Sequence, residues 1–263
     1  MAKLEDARHP SRLEHAIDLL RILISRDLKV RYKRSRLGFA WSLMNPLAQL
    51  LIFTFLFRMV LPLNIPHYPS YVFIGVLAYS WFSGTLISAG GSIVNNPELV
   101  RRPGFPIAML PVLTVASNGI HFLLALPVLL AFAAIDGVPL GTCLILLPGL
   151  IALQFFLLLS LSYLISAANV HFRDVEHLVG IGVMLGFYLT PVFYSADALP
   201  ATYRVIYELN PMASLLGAYR AVIVEDQLPN LTSLVYLSVI SLLLFVAGGV
   251  LYRRTSATFV EQI

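Results

Sequence analysis

The sequence predicts an all-α membrane protein with six transmembrane helices. Of its 263 residues, 58% are apolar and only 12% are charged, and the mean hydropathy is +0.81. A soluble domain carries roughly 25% charged residues, so this chain has too little polar surface to cover a water-facing globule. The apolar runs are long and continuous rather than alternating, which favours membrane helices over a β-barrel.

The first element, residues 1–36, precedes every apolar run and is predicted to form a cytoplasmic amphipathic interface segment. It is rich in Lys and Arg, and its apolar side chains recur at the spacing of one helix face. That face comprises Leu13, Ile17, Leu20, Ile24 and Leu28. Two interpretations are open: a basic helix that lies on anionic lipid, or a docking helix for a cytosolic partner.

Six apolar runs follow, each near the roughly 20 residues that cross about 30 Å of hydrocarbon. The predicted spans are residues 38–61, 70–91, 107–135, 142–168, 178–194 and 231–252. With their connections they form one transmembrane domain, residues 37–263. Asn45-Pro46 can kink or restart the first span. The longest connection, residues 195–230, is predicted to form two short external helices separated by Asn210-Pro211.

The positive charges predict the orientation of these spans. Ten of the eighteen Lys and Arg precede residue 37, and five more lie in the second and fourth loops and in the tail. Only Arg58, Arg204 and Arg220 remain for the other side. Because loops rich in Lys and Arg stay in the cytoplasm, we expect a multi-pass protein of the bacterial inner membrane with both termini cytoplasmic.

The sequence also argues against several sources of chemistry and energy. It contains no G-x-x-x-x-G-K-[ST] motif, and its last lysine is Lys33, so it lacks a Walker-type phosphate site and is not predicted to be an enzyme. None of its fourteen Asp and Glu lies in the middle of a predicted span, which argues against an ion-coupled carrier. The six histidines lack close metal-ligand spacing. We therefore expect no metal or cofactor in this chain, and a separate polypeptide as its source of energy.

Seven motifs follow one another in a single register along nearly the whole chain. They are RDLKVRYKRSRLGFAWSLMNPL (26–47), YPSYVFIGVLAYSWFS (68–83), NNPELVRRPGFPIAMLP (95–111), DVEH (174–177), LTPVFYS (189–195), NPMASLLGAYR (210–220) and FVEQ (259–262). This ordered set resembles the permease subunits of type-2 ABC exporters. More narrowly, it resembles those that export bacterial surface polysaccharides, namely O-antigen, capsule and teichoic acid.

The resemblance implies the pore subunit of an ATP-driven exporter that moves lipid-linked polysaccharide to the outer face of the inner membrane. It implies as partners a second copy of the chain, membrane lipid and two cytosolic nucleotide-binding subunits, which would carry ATP and Mg²⁺, and no nucleic acid. Two alternatives stay open: a type-2 permease for a drug or small amphiphile, and a non-transporting membrane scaffold. A neighbouring ATPase gene would argue against the scaffold. Neighbouring polysaccharide-synthesis genes would separate the two permeases.

The loop at residues 92–106 is a candidate coupling helix under this resemblance. Asn95 or Asn96 can cap its start, Pro97 suits an early helical position, and Pro103-Gly104 can end it. The alternative is a solvated loop held inside by its arginines. The residues assigned to contact with the ATPase are Asn95, Asn96, Pro97, Glu98, Leu99, Arg101 and Arg102.

The first and fifth spans are rich in aromatic residues and, by resemblance, line a pore between two copies. Flat rings suit a sliding glycan because they stack on C–H-rich sugar faces without fixing one register. The candidates for the substrate path are Trp41, Phe53, Phe57, Arg58, Tyr188, Phe193 and Tyr194. Ordinary packing or anchoring at the membrane interface is the alternative for these rings. Arg58, near the outer end of the first span, can either meet substrate hydroxyls or snorkel outward.

Two further sets of residues are candidates at the two ends of the pore. In similar permeases short re-entrant helices between spans five and six close the outer end, and the gate residues here would be Tyr203, Arg204, Tyr207, Glu208 and Arg220. The alternative is an amphipathic lid that rests on lipid headgroups. At the inner end, a basic cluster can hold a lipid pyrophosphate or simply anchor the chain: Arg31, Lys33, Arg34 and Arg36.

Overall fold

A computed structural model of the chain describes residues 12–31, 33, 40–60, 63–195 and 207–263. Within these ranges every regular element is a helix. The helices are α1 (Arg12–Arg31), α2 (Ala40–Phe55), α3 (Tyr68–Gly91), α4 (Pro97–Val100), α5 (Met109–Ile135), α6 (Leu147–His171), α7 (Asp174–Leu189), α8 (Pro211–Ile223), α9 (Leu231–Thr255) and α10 (Phe259–Gln262). A π-helical turn, Leu56–Val60, extends α2, and 3-10 turns precede α6 and α10.

Five stretches of the described chain are long and apolar enough to cross a membrane. They are Leu43–Val60, Tyr68–Gly91, Met109–Ile135, Thr142–His171 and Leu231–Thr258. Each coincides with one of the six predicted spans. The all-helical membrane class is therefore confirmed, together with the position of five apolar helices.

The fifth predicted span, residues 178–194, differs from the other five. Its helix, α7, has 16 residues and is about 24 Å long, which is shorter than the hydrocarbon core of about 30 Å. The helix ends where Thr190 precedes Pro191, because a residue before proline is disfavoured in helical conformation, and Thr190 has φ −90° and ψ 137°. The predicted span, residues 178–194, is therefore not confirmed as one helix: the helix begins earlier, at Asp174, and the last five residues of the span are irregular chain.

This short helix and the irregular chain after it nevertheless lie antiparallel to most of the length of α3. At one end the Glu176 side chain faces Gly90. Midway, the Tyr79 hydroxyl donates a hydrogen bond to the carbonyl of Val183, at 2.7 Å. At the other end the Tyr71 hydroxyl donates to the carbonyl of Tyr194, at 3.0 Å.

The central helix of the bundle is α3. Of its apolar stretch, 67% is buried inside the protein, against 11% for α2 and 17% for α9. It packs against α2, α5, α6, α7 and α8. Helices α6 and α9 approach closely at Gly248, where a Cβ would lie 3.0 Å from the carbonyl oxygen of Ser160; small residues allow such close contact between membrane helices.

The two ends of the bundle differ in charge. Around α4 and the C-terminal ends of α3, α6 and α9 lie exposed arginines, namely Arg101, Arg102, Arg173, Arg253 and Arg254. We call this the basic end. The opposite end, called the far end, carries the connections 63–67, 136–141 and 224–230, where His67 Nδ1 is 2.9 Å from the carbonyl oxygen of Asp136 and the Cys143 backbone N–H donates to Asp226, at 3.0 Å.

Helix α8 begins inside the bundle rather than on its surface. Asn210 caps the helix by accepting from the backbone N–H groups of Met212 and Ala213, and its side-chain amide donates to Thr190, at 2.9 Å. Further along α8, Tyr219 donates to the side chain of Gln154, at 2.9 Å. Gln154 in turn donates to the carbonyl of Ala78 midway along α3, also at 2.9 Å, so the hydrogen bonds of α8 reach the middle of the bundle.

Candidate coupling surface and substrate path

The candidate coupling segment forms a short helix, α4, that projects its charged side chains outward. Pro97 is the first helical residue, as predicted, because proline tolerates that position well. The predicted side-chain cap is wrong for Asn96, which occupies the N-cap position without such a bond and instead donates its amide to the carbonyl of Ser92, at 3.0 Å. Glu98, Arg101 and Arg102 are exposed.

The opposite face of α4 is anchored in a second apolar core at the basic end. Val100 is 3% exposed, and Ile93, just before α4, is fully buried. They share this core with residues from the ends of α5, α6 and α9 and from α10: Leu110, Ala167, Val170, Tyr252 and Phe259. Because protein interiors are close-packed and compress little, this shared core connects α4 rigidly to these helices.

Asn169 joins three helices next to this core. Its side-chain amide donates to the carbonyl of Gly90 at the end of α3, at 2.7 Å. Its side-chain oxygen accepts from the backbone N–H of Glu176 in the first turn of α7, at 3.0 Å. One buried side chain therefore satisfies groups at two helix ends and fixes α3 and α7 to α6 beside α4.

Helix α1 carries a basic groove of about 720 Å³ on its outer side. The groove is lined by Arg21, Ile22, Ser25, Arg26, Lys29, Val30 and Lys33. The predicted apolar face is half-buried from Leu20 onward, whereas Ile17 is 57% exposed. Among the described side chains of α1 the most buried is Leu23, which lies outside that face. Of the four pyrophosphate candidates, only Lys33 has a described side chain; Arg34 and Arg36 lie outside the described residues, as does the side chain of Arg31.

The structure brings three of the predicted substrate-path residues into one aromatic stack between α2 and the chain after α7. The rings of Phe53 and Phe193 are 5.1 Å apart and inclined by 6°. Phe57 and Phe193 are 5.5 Å apart and inclined by 13°. Phe187 adds a fourth ring, 6.0 Å from Phe53. These rings are half-buried, so each combines packing with an accessible edge or face.

The other four predicted residues surround this stack or lie away from it. Tyr188 is 62% exposed, with its ring 6.5 Å from Phe193, and the Tyr194 ring is 5.3 Å from Phe193. Trp41, which is 54% exposed, lies at the opposite end of α2. Arg58 is exposed in the π-helical turn and borders a far-end pocket of about 560 Å³ that also contains His67 and Asp136.

The predicted gate residues fall into three groups. Tyr203 and Arg204 lie outside the described residues. Tyr207 and Glu208 line a cleft of about 970 Å³ between α8 and the start of α9. Arg220 is only 4% exposed and faces α3, with its guanidinium carbon 3.5 Å from the centre of the Tyr71 ring.

Sequence reasoning missed several residues that organise this region. Tyr68 and Tyr71 hydrogen-bond the chain after α7, and Gln154 joins α3, α6 and α8. A glutamine within an apolar run is itself a signal, because polar side chains inside membrane helices seek a partner. Within the described residues, no group of three or more His, Cys, Asp or Glu side chains is arranged to hold a metal ion.

Comparisons with known proteins match this chain to transport proteins over most of its length. The family model for the ABC-2 type transporter matches residues 18–224. The O-antigen export system permease protein RfbA of Myxococcus xanthus is 33% identical over 93% of this chain and 95% of its own length. A protein of the same name from Klebsiella pneumoniae is 31% identical over 95% and 96%. The polysialic acid transport protein KpsM of Escherichia coli is 22% identical over 88% and 91%.

Proposed function

The chain belongs to the ABC-2 type transporter family, and from this premise we propose that it forms the membrane pore of an ATP-driven exporter of lipid-linked polysaccharide. The observation that carries the proposal is the similarity, at 31–33% identity over almost the full length, to permeases named for O-antigen export. The weaker similarity to a polysialic acid transport protein points to the same class of cargo. A type-2 permease for small amphiphiles finds no comparable support among these relatives.

The proposed pore has six crossings per chain and lies between two copies. The sixth crossing is supplied by α7 with residues 190–194, whose contacts with α3 extend from Gly90 to Tyr71. A second copy is supported by the uncovered apolar face of α7, in which Val183 is the one buried residue. Helix α2 also leaves most of its apolar surface uncovered, since only 11% of its apolar stretch is buried. The aromatic stack joins these two helices at one end.

The proposed energy source is a pair of cytosolic ATPase subunits that bind ATP and Mg²⁺ and contact the basic end. Helix α4 suits this contact because Glu98 in it and Arg101 and Arg102 just after it are exposed, while Val100 is fixed in the second apolar core. The arginines concentrated at this end support a cytoplasmic location for it and for both termini. Asn169 couples a displacement at α4 to α3 and α7, the helix that carries Tyr188.

The proposed substrate path runs along the aromatic residues on α2, on α7 and on residues 190–194. Stacked rings offer a glycan broad faces with weak, repeated contacts and no fixed register. Tyr188 is the most accessible ring of this region and is the first contact we assign to the polymer. Helix α8, which begins beside Thr190, and the cleft residues Tyr207 and Glu208 are assigned to the outer gate. The basic groove on α1, with Lys33, is assigned to the pyrophosphate of the lipid carrier.

Deletion of the gene followed by localisation of the polymer tests the proposal. Export by this subunit predicts that polysaccharide accumulates inside the cell and returns to the surface when the wild-type gene and its ATPase are supplied together. The matched control supplies the wild-type permease with an ATPase that binds but does not hydrolyse ATP, and the polymer should then stay inside. Normal surface polysaccharide in the deletion strain would contradict the proposal and leave the small-amphiphile permease or the scaffold.

A further inference from the structure

Five backbone carbonyls at the end of α7 and just after it accept hydrogen bonds from side chains. Three of them are consecutive: Arg220 donates to Val192 at 2.8 Å, Tyr68 to Phe193 at 2.9 Å, and Tyr71 to Tyr194 at 3.0 Å. The Tyr194 hydroxyl lies 3.2 Å from the carbonyls of the last two α7 residues, Tyr188 and Leu189.

These hydrogen bonds satisfy backbone groups that would otherwise lack partners inside a membrane. Backbone groups that leave a helix within hydrocarbon lose their internal partners, and each unsatisfied group costs several kcal/mol. Residues 190–194 lie outside α7, and Val192 is fully buried, so water does not satisfy its carbonyl. The donors come from two other helices, α3 and α8. The carbonyls of residues 192–194 are therefore held by the two helices that flank the segment, and its own backbone adds one bond, from the Val192 N–H to the carbonyl of Thr190, at 2.7 Å.

Burying the charged Arg220 side chain costs free energy that an apolar side chain at the same position would not cost. A charged group buried in a membrane protein is rare and is usually functional. Arg220 is 4% exposed, stacks on the Tyr71 ring, and leaves its Nε without a hydrogen-bond partner among the described residues. Close approach is possible because Gly75 has no side chain: a Cβ there would lie 2.6 Å from the Val192 carbonyl oxygen and 3.0 Å from Arg220 Nη2.

We infer that Tyr68, Tyr71 and Arg220 are positioning residues that form a carbonyl clamp on residues 192–194. The clamp holds the Phe193 ring in the aromatic stack and thereby seals the far end of the resting pore. This inference rests on the proposed function, because only a pore has an end to seal. It assigns the seal to backbone carbonyls and their donors, in addition to the side chains that face the path.

The clamp also has a mechanical connection to the basic end. Two of its three donors lie in the first turns of α3, a helix of 24 residues and thus about 36 Å long. The same helix ends beside α4, separated from it by residues 92–96. When α4 moves along the axis of α3, helix α3 therefore transmits the movement to the carbonyls of Phe193 and Tyr194. The seal opens when α3 and α8 move apart at residues 192–194.

Leak of a small solute through the resting transporter tests the clamp. The complex of permease and ATPase is reconstituted in vesicles loaded with a small fluorescent anion, without ATP and without polysaccharide. The Tyr68→Phe/Tyr71→Phe pair removes two hydroxyl donors and keeps both rings. Losing two hydrogen bonds of the average strength found inside membrane proteins should raise the open fraction, and hence the leak rate, about eightfold. Arg220→Lys keeps the charge but not the planar donor, and should also raise the leak.

The matched control is Tyr163→Phe, which removes an equivalent bond from a tyrosine hydroxyl to the carbonyl of Ala108, at 3.0 Å, near the basic end. It should leak like the wild type. Unchanged leak in the Tyr68→Phe/Tyr71→Phe and Arg220→Lys variants, with wild-type melting temperatures, would overturn the clamp, as would an equal rise in the control. A leak confined to the clamp variants supports the clamp even if polymer export later fails, so the two proposals fail separately.

Discussion

Replacing Gly75 by alanine tests the packing on which the far end depends. The added Cβ would lie 2.6 Å from the Val192 carbonyl oxygen, whereas ordinary contacts begin at 3.4 Å. Helix α3 and residues 190–194 must then separate by about 0.8 Å, because the clashing atom belongs to backbone and has no rotamer to change. Overpacking of this kind costs about 1–3 kcal/mol, and the better helix propensity of alanine offsets about 0.5–1 kcal/mol.

The central values of these ranges leave a net loss of about 1.25 kcal/mol, which corresponds to a fall in melting temperature of roughly 2.5–5 °C for a protein of this size. Thermal unfolding of the detergent-purified protein, followed by tryptophan fluorescence, measures it. The control is Gly249→Ala in α9, where an added Cβ would have no neighbour within 4 Å, and its melting temperature should stay the same or rise. If Gly75→Ala melts at or above the control, the close approach of α3 to Val192 is wrong.

Three further predictions concern the interior, the coupling surface and the substrate path. A double-mutant cycle of Gln154→Leu and Tyr219→Phe, followed by thermal unfolding, should give a coupling energy of about 0.6–1.7 kcal/mol; a value near zero would remove the bond that ties α8 to α6. Glu98→Arg should leave the protein inserted but uncouple ATP hydrolysis from export, whereas Glu98→Gln should retain more coupling, and unchanged coupling in both would refute the role of α4. Tyr188→Ala should lower polymer flux more than it lowers the amount of protein in the membrane. Tyr188→Phe keeps the ring, so its polymer flux should stay near that of the wild type. Equal losses of flux and protein amount in Tyr188→Ala would show that this ring is a packing residue.

The parts of the fold that the sequence predicts correctly are those set by local composition. Five apolar helices follow from hydropathy, and the start of α4 follows from Pro97, because proline acts on its own neighbourhood. The shortness of α7 was also visible in principle, since Thr190 precedes Pro191 within the predicted span. The absent side-chain cap at Asn96 also involves near neighbours: the Asn96 side chain makes its hydrogen bond through its amide N–H, to the carbonyl of Ser92 four residues before, and not through the oxygen that a cap would use.

The arrangement of the candidate site depends on contacts between distant parts of the chain. The stack of Phe53 on Phe193 joins residues 140 positions apart, and no spacing rule predicts it. Arg220 was assigned to an external segment by charge counting, whereas the structure buries it against Tyr71 because α8 lies inside the bundle. The sequence thus predicts which residue types the site uses, while the packing of α8 on α3 and α6 decides which of them meet.

The central claim is that this subunit moves glycan with energy supplied by a separate ATPase. Vesicles that contain the permease with its ATPase, and lipid-linked polysaccharide on the side of the ATPase, measure it directly. We expect polymer movement that requires both the ATPase and ATP hydrolysis and does not respond to an imposed ion gradient. Vesicles that hold the permease alone and still move the glycan on a proton or sodium gradient would contradict it.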